Sequence, residues 1–154
     1  MKYFYYEGLA AIKNDEISLV IDYIPNTKKT DELTDAYFHI VLNENNDVVG
    51  HIAFDYSLSS GFDYSGNVEY SIREEYRNKK YATKALALLK QLLKSNTFNC
   101  DKDLYISILP ENKYSEKVAI NNGGTLYYEG EVPKEHIITI TNKIKKVKVY
   151  QIKI

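Results

Sequence analysis

The sequence predicts an α+β fold, a mixed and mostly antiparallel sheet of about seven strands flanked by helices. Two observations carry it. Short stretches of alternating apolar and polar residues recur on both sides of one long amphipathic stretch, residues 81–95. That stretch places Ala82, Ala85, Leu86, Leu89, Leu92 and Leu93 at spacings of 3, 4, 7, 10 and 11, the stripe of a helix packed on one side. The strands before and after such a crossover helix, residues 68–72 and 104–108, are expected to run parallel at the centre of the sheet.

The elements follow in order. Residues 2–7 read as the first strand, and residues 15–24 hold a β-branched run, Ile17 to Ile24, ended by Pro25-Asn26. Asp31 to Asp35 fit either a short helical turn or a loop. Ala36–Leu42 and Val48–Tyr56 alternate in type and flank the polar segment Asn43 to Asp47, a hairpin pattern. Ser57 to Ser65 is a loop leading to the strand whose Val68, Tyr70 and Ile72 share a face.

After the long helix, Asn96 to Asp103 is polar and turn-like. Leu104, Ile106 and Ile108 then alternate with Tyr105 and Ser107 in a strand stopped by Pro110. Residues 113–122 form a short helix closed by Gly123-Gly124. Thr125–Val132 and Lys146–Ile154 supply the last two strands, joined by a loop over 129–145. Lys143, Lys145, Lys146 and Lys148 at the start of the last strand read as edge protection, with an anionic partner as the alternative.

A chain of 154 residues without repeat or linker is expected to form a single domain over 1–154. The formal charge of −1 argues against a nucleic-acid partner, whose binding surfaces are strongly basic. Cys100 is the single cysteine, which excludes an internal disulfide and fits a reducing compartment. The apolar run near Met1 is short for a signal peptide, and no later stretch could span a membrane, so a cytoplasmic protein is expected. The 15 tyrosines suit half-buried strand surfaces, with a tyrosine-lined substrate groove as the functional alternative.

The chemistry concentrates where the strand at 68–72 meets the long helix. Arg77 to Lys80 form a basic turn at the helix N-terminus, where unpaired N–H groups and the helix dipole favour a phosphate or pyrophosphate. The run Arg77-Asn-Lys-Lys80-Tyr-Ala82 resembles the R/Q-x-x-G-x-G/A turn of the GNAT superfamily of acetyl-CoA-dependent N-acetyltransferases. It departs from that pattern at Lys80, which stands where glycine is usual. Downstream, Asn112-Lys-Tyr-Ser115 followed by Asn121-Asn-Gly-Gly124 is similar to the family's N-x-x-S and N-G-G/F segments.

The resemblance implies the GNAT acyl-CoA N-acyltransferase fold, with the two central strands splayed around the pantetheine arm of the co-substrate, acetyl-CoA. It implies that backbone amides of Arg77, Asn78, Lys79, Lys80, Tyr81 and Ala82, with the Thr83 hydroxyl, hold the pyrophosphate. Ile72 would pair with the pantetheine arm, and Asn112 and Ser115 would flank it. Read from the residues alone, Lys79 and Lys80 also suit a solvated turn, and Asn112 also suits a helix cap. A lysine at position 80 is expected either to adopt an ordinary conformation or to weaken the cradle.

An amine must lose its proton before attacking a thioester, because an alkylammonium has a pKa of about 10. Glu69 is the candidate base, with a solvent-facing or ion-paired role as its alternative, and His51 with Asp55 is a second candidate pair. Many family members carry a general-acid tyrosine seven residues after the asparagine, where this chain has Ala119; Tyr105 or Tyr127 could replace it, or no acid need act. Cys100, His39, His51 and His136 show no metal-ligand spacing, so no metal is expected. The implied activity is acetyl transfer to a small-molecule or peptide amine, with a homodimer through the late strands open. A non-catalytic coenzyme-A-binding sensor and a tyrosine-rich interaction module are the alternatives.

Overall fold

The computed structural model describes residues 10–23, 35–55, 62–95 and 100–154. The strand expected at 2–7 and most of the 57–65 loop lie outside the described residues. Within them the strands are β1 (Ala10–Lys13), β2 (Ile17–Tyr23), β3 (Asp35–Leu42), β4 (Val48–Asp55), β5 (Val68–Ile72), β6 (Leu104–Ile108), β7 (Thr125–Glu131) and β8 (Lys146–Ile152). The helices are α1 (Tyr81–Lys94), α2 (Lys113–Asn121) and α3 (Ile137–Asn142).

Strands β1 to β5 form one antiparallel sheet in sequence order. Side chains alternate across it as a period of two requires. Ala36, Phe38, Ile40, Ile52, Phe54, Val68 and Ile72 are buried against α1, whereas Tyr37, His51, Glu69 and Ser71 line the outer face. Helix α1 returns the contact with Ala82, Ala85, Leu86 and Leu89, all fully buried. The same core takes in Leu104, Ile106 and Ile108 of β6 and Tyr150 and Ile152 of β8, so α1 joins both sheets.

The second sheet has the order β6-β8-β7, also antiparallel. Strand β8 is therefore its centre, and the edge-protection reading of the nearby lysines does not hold. Lys148 instead bonds Glu116 of α2 at 3.0 Å. The β-branched run at 17–23 is the strand β2, preceded by a short β1, and the described residues hold eight strands in two sheets. Helix α3 interrupts the segment expected to be a loop. Its sequence, Ile-Ile-Thr-Ile-Thr-Asn, is rich in β-branched residues of low helix propensity. Packing holds it, because Ile138 docks on Val132, Val147 and Val149, and the His136 ring accepts the Ile138 N–H at 3.3 Å.

Strands β5 and β6 share no ladder among the described residues; they meet at one isolated bridge, Gly66 to Ile106. The junction is clasped by Asn67, only 4% exposed. Its N–H donates to the Tyr105 carbonyl (2.9 Å), its Nδ2 to the Asp103 carbonyl (3.0 Å), and its Oδ1 accepts the Tyr105 N–H (2.7 Å). Gly66 lies at φ +69°, and a Cβ there would sit 2.5 Å from the Tyr105 oxygen. Beyond this clasp the sheets part.

Candidate active site

The parted edge belongs to β5. Asn67 accepts the Asp55 N–H and Arg73 donates to the Val49 carbonyl, so the odd-numbered residues of this stretch point their backbone groups at β4. The alternation then aims the N–H and C=O groups of Val68, Tyr70 and Ile72 into the gap. At the far end of β5 the Ile72 carbonyl accepts the Arg77 Nε–H at 3.1 Å. That contact places Arg77 at the entrance.

Between Ile72 and α1 the chain makes a 3-10 turn over Glu74–Tyr76 and then two residues with positive φ, Asn78 (63°) and Lys80 (64°). Lys80 thus adopts the left-handed conformation that glycine takes most readily, at a cost of about 1–2 kcal/mol for a residue with a Cβ. The first helical bond runs from the Lys84 N–H to the Lys80 carbonyl, and no side chain caps the helix. The N–H groups of Tyr81, Ala82 and Thr83 therefore precede the first helical bond and face outward at the positive end of the dipole. Lys79 stacks its ammonium 5.6 Å from the Tyr76 ring centre, and Lys80 is exposed.

Opposite β5, Asn112 caps α2: its Oδ1 accepts the Ser115 N–H at 3.1 Å. The capping role read for this residue is thus present, and the same geometry places Asn112 and Ser115 on the wall of the gap. Helix α2 ends as expected at the paired glycines. Gly124 N–H bonds the Ala119 carbonyl and Gly123 N–H the Ile120 carbonyl, with Gly123 at φ +83°, the two bonds of a Schellman motif.

Three cavities follow one another along β5. The entrance, about 320 Å³, lies between Ile72, Arg77, Asn112 and Tyr114. The middle one, about 250 Å³, lies between β5 and the Ile106–Leu109 stretch. Tyr70, Asn112 and Ser115 wall both. The third, about 240 Å³, opens on the outer sheet face among Tyr37, Asp55, Asn67 and Glu69, and shares Ser65, Val68 and Glu69 with the middle one.

Of the residues expected at the site, Ile72, Arg77, Asn112, Ser115 and Glu69 wall these cavities, and Asn78 to Thr83 form the turn and the first helical residues that follow Arg77. Glu69 stands where the middle and outer cavities join, its side chain 77% exposed and 3.6 Å from the His51 Nε2. His51 faces His39 across β3 and β4, and His39 pairs with Asp22 at 3.0 Å. His51 therefore neighbours Glu69, while Asp55 lies four residues farther along β4, in the outer cavity.

Ala119 is fully buried beneath the Gly124 turn and presents no acid. Tyr105 and Tyr127, on the second sheet, meet edge to face at 5.4 Å with Phe62 beside them, off the walls of all three cavities. Tyr70 is the phenol the sequence concealed. Its alternation with Val68 and Ile72 reads as core, yet its hydroxyl reaches the Ser115 carbonyl at 3.2 Å across the gap. Burial pushes this phenol up to about 12, against a smaller opposing effect of the Ser115 side chain.

The family model for an acetyltransferase (GNAT) domain matches residues 6–125. A search of curated proteins found no match. Among solved structures, a GNAT-family acetyltransferase from Bacillus anthracis is 24% identical with a TM-score of 0.58, over 76% of this chain and 65% of that one. The ribosomal-protein alpha-N-acetyltransferase RimL, in complex with coenzyme A, is 16% identical at TM-score 0.59, over 79% and 63%. The chain thus spans slightly under two thirds of those two proteins. The microcin self-immunity acetyltransferase MccE, in complex with acetyl-CoA and AMP, is 15% identical at TM-score 0.64 and is covered over 96% of both chains. At these identities the structures attest the fold, and the family model, matching well over half of the residues, places the chain in the GNAT acetyltransferase family.

Proposed function

We propose that the protein transfers an acetyl group from acetyl-CoA to a primary amine by direct attack within a ternary complex. The observation that carries this reading is the run of cavities along β5, bordered at one end by Arg77, in the turn that leads into the uncapped N-terminus of α1, and at the other by Glu69. The pyrophosphate would rest on the N–H groups of Tyr81, Ala82 and Thr83, with Arg77, Asn78, Lys79 and Lys80 around it. The pantetheine amides would pair with the backbone groups of Tyr70 and the Ile72 N–H, as an added strand does. Asn112 and Ser115 would form the opposite wall.

In the reaction the amine nitrogen bonds to the acetyl carbon, the C–S bond breaks, and its electron pair leaves on sulfur. Glu69 takes the amine proton, directly or through water. Holding two reactants in one gap can itself supply about 7–11 kcal/mol, and a positioned base about 10²–10⁴-fold. The acceptor is a small-molecule or peptide amine, entering from the outer cavity between Tyr37, Asp55 and Glu69.

Calorimetric titration with acetyl-CoA followed by thiol release against a panel of amines tests the reading. Absence of binding at millimolar cofactor would reject it. Glu69→Gln is expected to lower kcat by about 10²–10⁴-fold with KM for acetyl-CoA unchanged. Full activity of that variant across about pH 6 to 9 would remove Glu69 from the role of base. The burial of Ala119 favours one rival, a non-catalytic coenzyme-A-binding sensor; binding without turnover on any amine would select it.

A further inference from the structure

A thioester gives up its sulfur with a full negative charge, and a gap that stabilises this charge needs a donor aimed at it. Among the described residues, two tyrosines wall the entrance and middle cavities, and Tyr37 lines the outer one. Tyr114 borders the entrance beside Arg77, whereas Tyr70 borders both the entrance and the middle cavity. The Tyr70 hydroxyl is the more inward donor. Its bond to the Ser115 carbonyl, 3.2 Å long, is stretched for an O–H···O contact and is easily exchanged for a better acceptor. The carbonyl it would release lies in the first turn of α2, on a wall that also carries Asn112.

We propose that the Tyr70 hydroxyl donates a hydrogen bond to the sulfur leaving the thioester and stabilises it as thiolate. This role rests on the acetyl-CoA reading above. The phenol keeps its own proton throughout: burial raises it to about 12, well above a thiol at about 8.5, so full transfer to sulfur is uphill. The amine proton passes by way of Glu69 to water, and the thiolate takes its proton from solvent as coenzyme A departs. A strand residue thereby does by hydrogen bonding what a helix residue at position 119 cannot.

The test uses coenzyme A alone and needs no knowledge of the acceptor. The ultraviolet absorbance of the bound thiolate is titrated against pH in the wild-type protein and in Tyr70→Phe. A charge-assisted hydrogen bond is expected to increase the ionisation constant of the bound thiol by about ten-fold or more over free coenzyme A, and Tyr70→Phe to abolish most of that gain while leaving affinity at low pH unchanged. A structural role for the ring would not move this constant. Coenzyme A bound with the same thiol constant in both proteins overturns the Tyr70 role alone. Coenzyme A that fails to bind the wild type overturns the acetyltransferase reading and this role together. Should Tyr70→Phe not fold, the wild-type titration decides: a bound thiol no more acidic than the free one rejects the proposal.

Discussion

Lys80 shows how a single residue can break a motif's letter and keep its geometry. Its backbone stays left-handed at φ 64°, so the helix mouth has the shape a glycine would give it, at a conformational cost. Lys80→Gly relieves the Cβ penalty but adds disorder to the unfolded chain, and the balance is expected to be a gain of about 0.5–1 kcal/mol in denaturant unfolding. Of the two outcomes expected from the sequence, the ordinary conformation is not the one Lys80 adopts. Glu116 gives a second prediction at this scale. Hydrogen bonds from Tyr150 (2.6 Å), Lys148 (3.0 Å) and Lys113 (3.1 Å) hold its carboxyl at about 2, against an ordinary 4.5. A carboxyl depressed by folding stabilises above its unfolded pKa and loses that contribution as pH falls toward the folded one. Unfolding midpoints measured from pH 6 down to 2 should therefore fall chiefly below 4.5, and Glu116→Gln should flatten that fall.

Among the elements, α1 was plain in the sequence because six apolar residues fall on one stripe and no competing pattern crosses them. Helix α2 was plain because both of its ends carry their chemistry, Asn112 in front and paired glycines behind. Helix α3 was concealed, since its β-branched residues argue for strand and only docking on Val147 and Val149 reverses that. The position of β8 between β6 and β7 was equally hidden: a strand's neighbours depend on which distant segments it meets, and lysines mark exposure without saying where. The junction of the sheets makes a direct prediction. Gly66→Ala puts a methyl 2.5 Å from the Tyr105 carbonyl at a positive φ, and a loss of about 1–3 kcal/mol in stability is expected by denaturant titration.

At the scale of the whole molecule one apolar cluster runs from Ile17 of β2 through α1 to Ile152 of β8. Leu89 is fully buried near its middle, and Leu89→Ala should cost about 2–5 kcal/mol while leaving one cooperative thermal transition. Two separate transitions would show that the sheets unfold independently. The strand-by-strand alternation made the sheets foreseeable, and the basic turn with its following stripe made the site's mouth foreseeable. The division into two sheets was foreseeable only through the family likeness, because nothing in the alternation of β5 or β6 reports an unpaired edge.

The clasp at Asn67 has a consequence for how the gap arises. Its bonds to Asp103 and Tyr105 join residues 36 and 38 positions apart, and Ser107 reaches back 43 positions to Tyr64. Such long-range closures come late in folding, after α1 has nucleated locally. The gap is thus expected to form in a late assembly step, and weakening its hinge should erode ligand seating before helicity declines. Near-ultraviolet dichroism would register that loss while the far-ultraviolet spectrum stays intact.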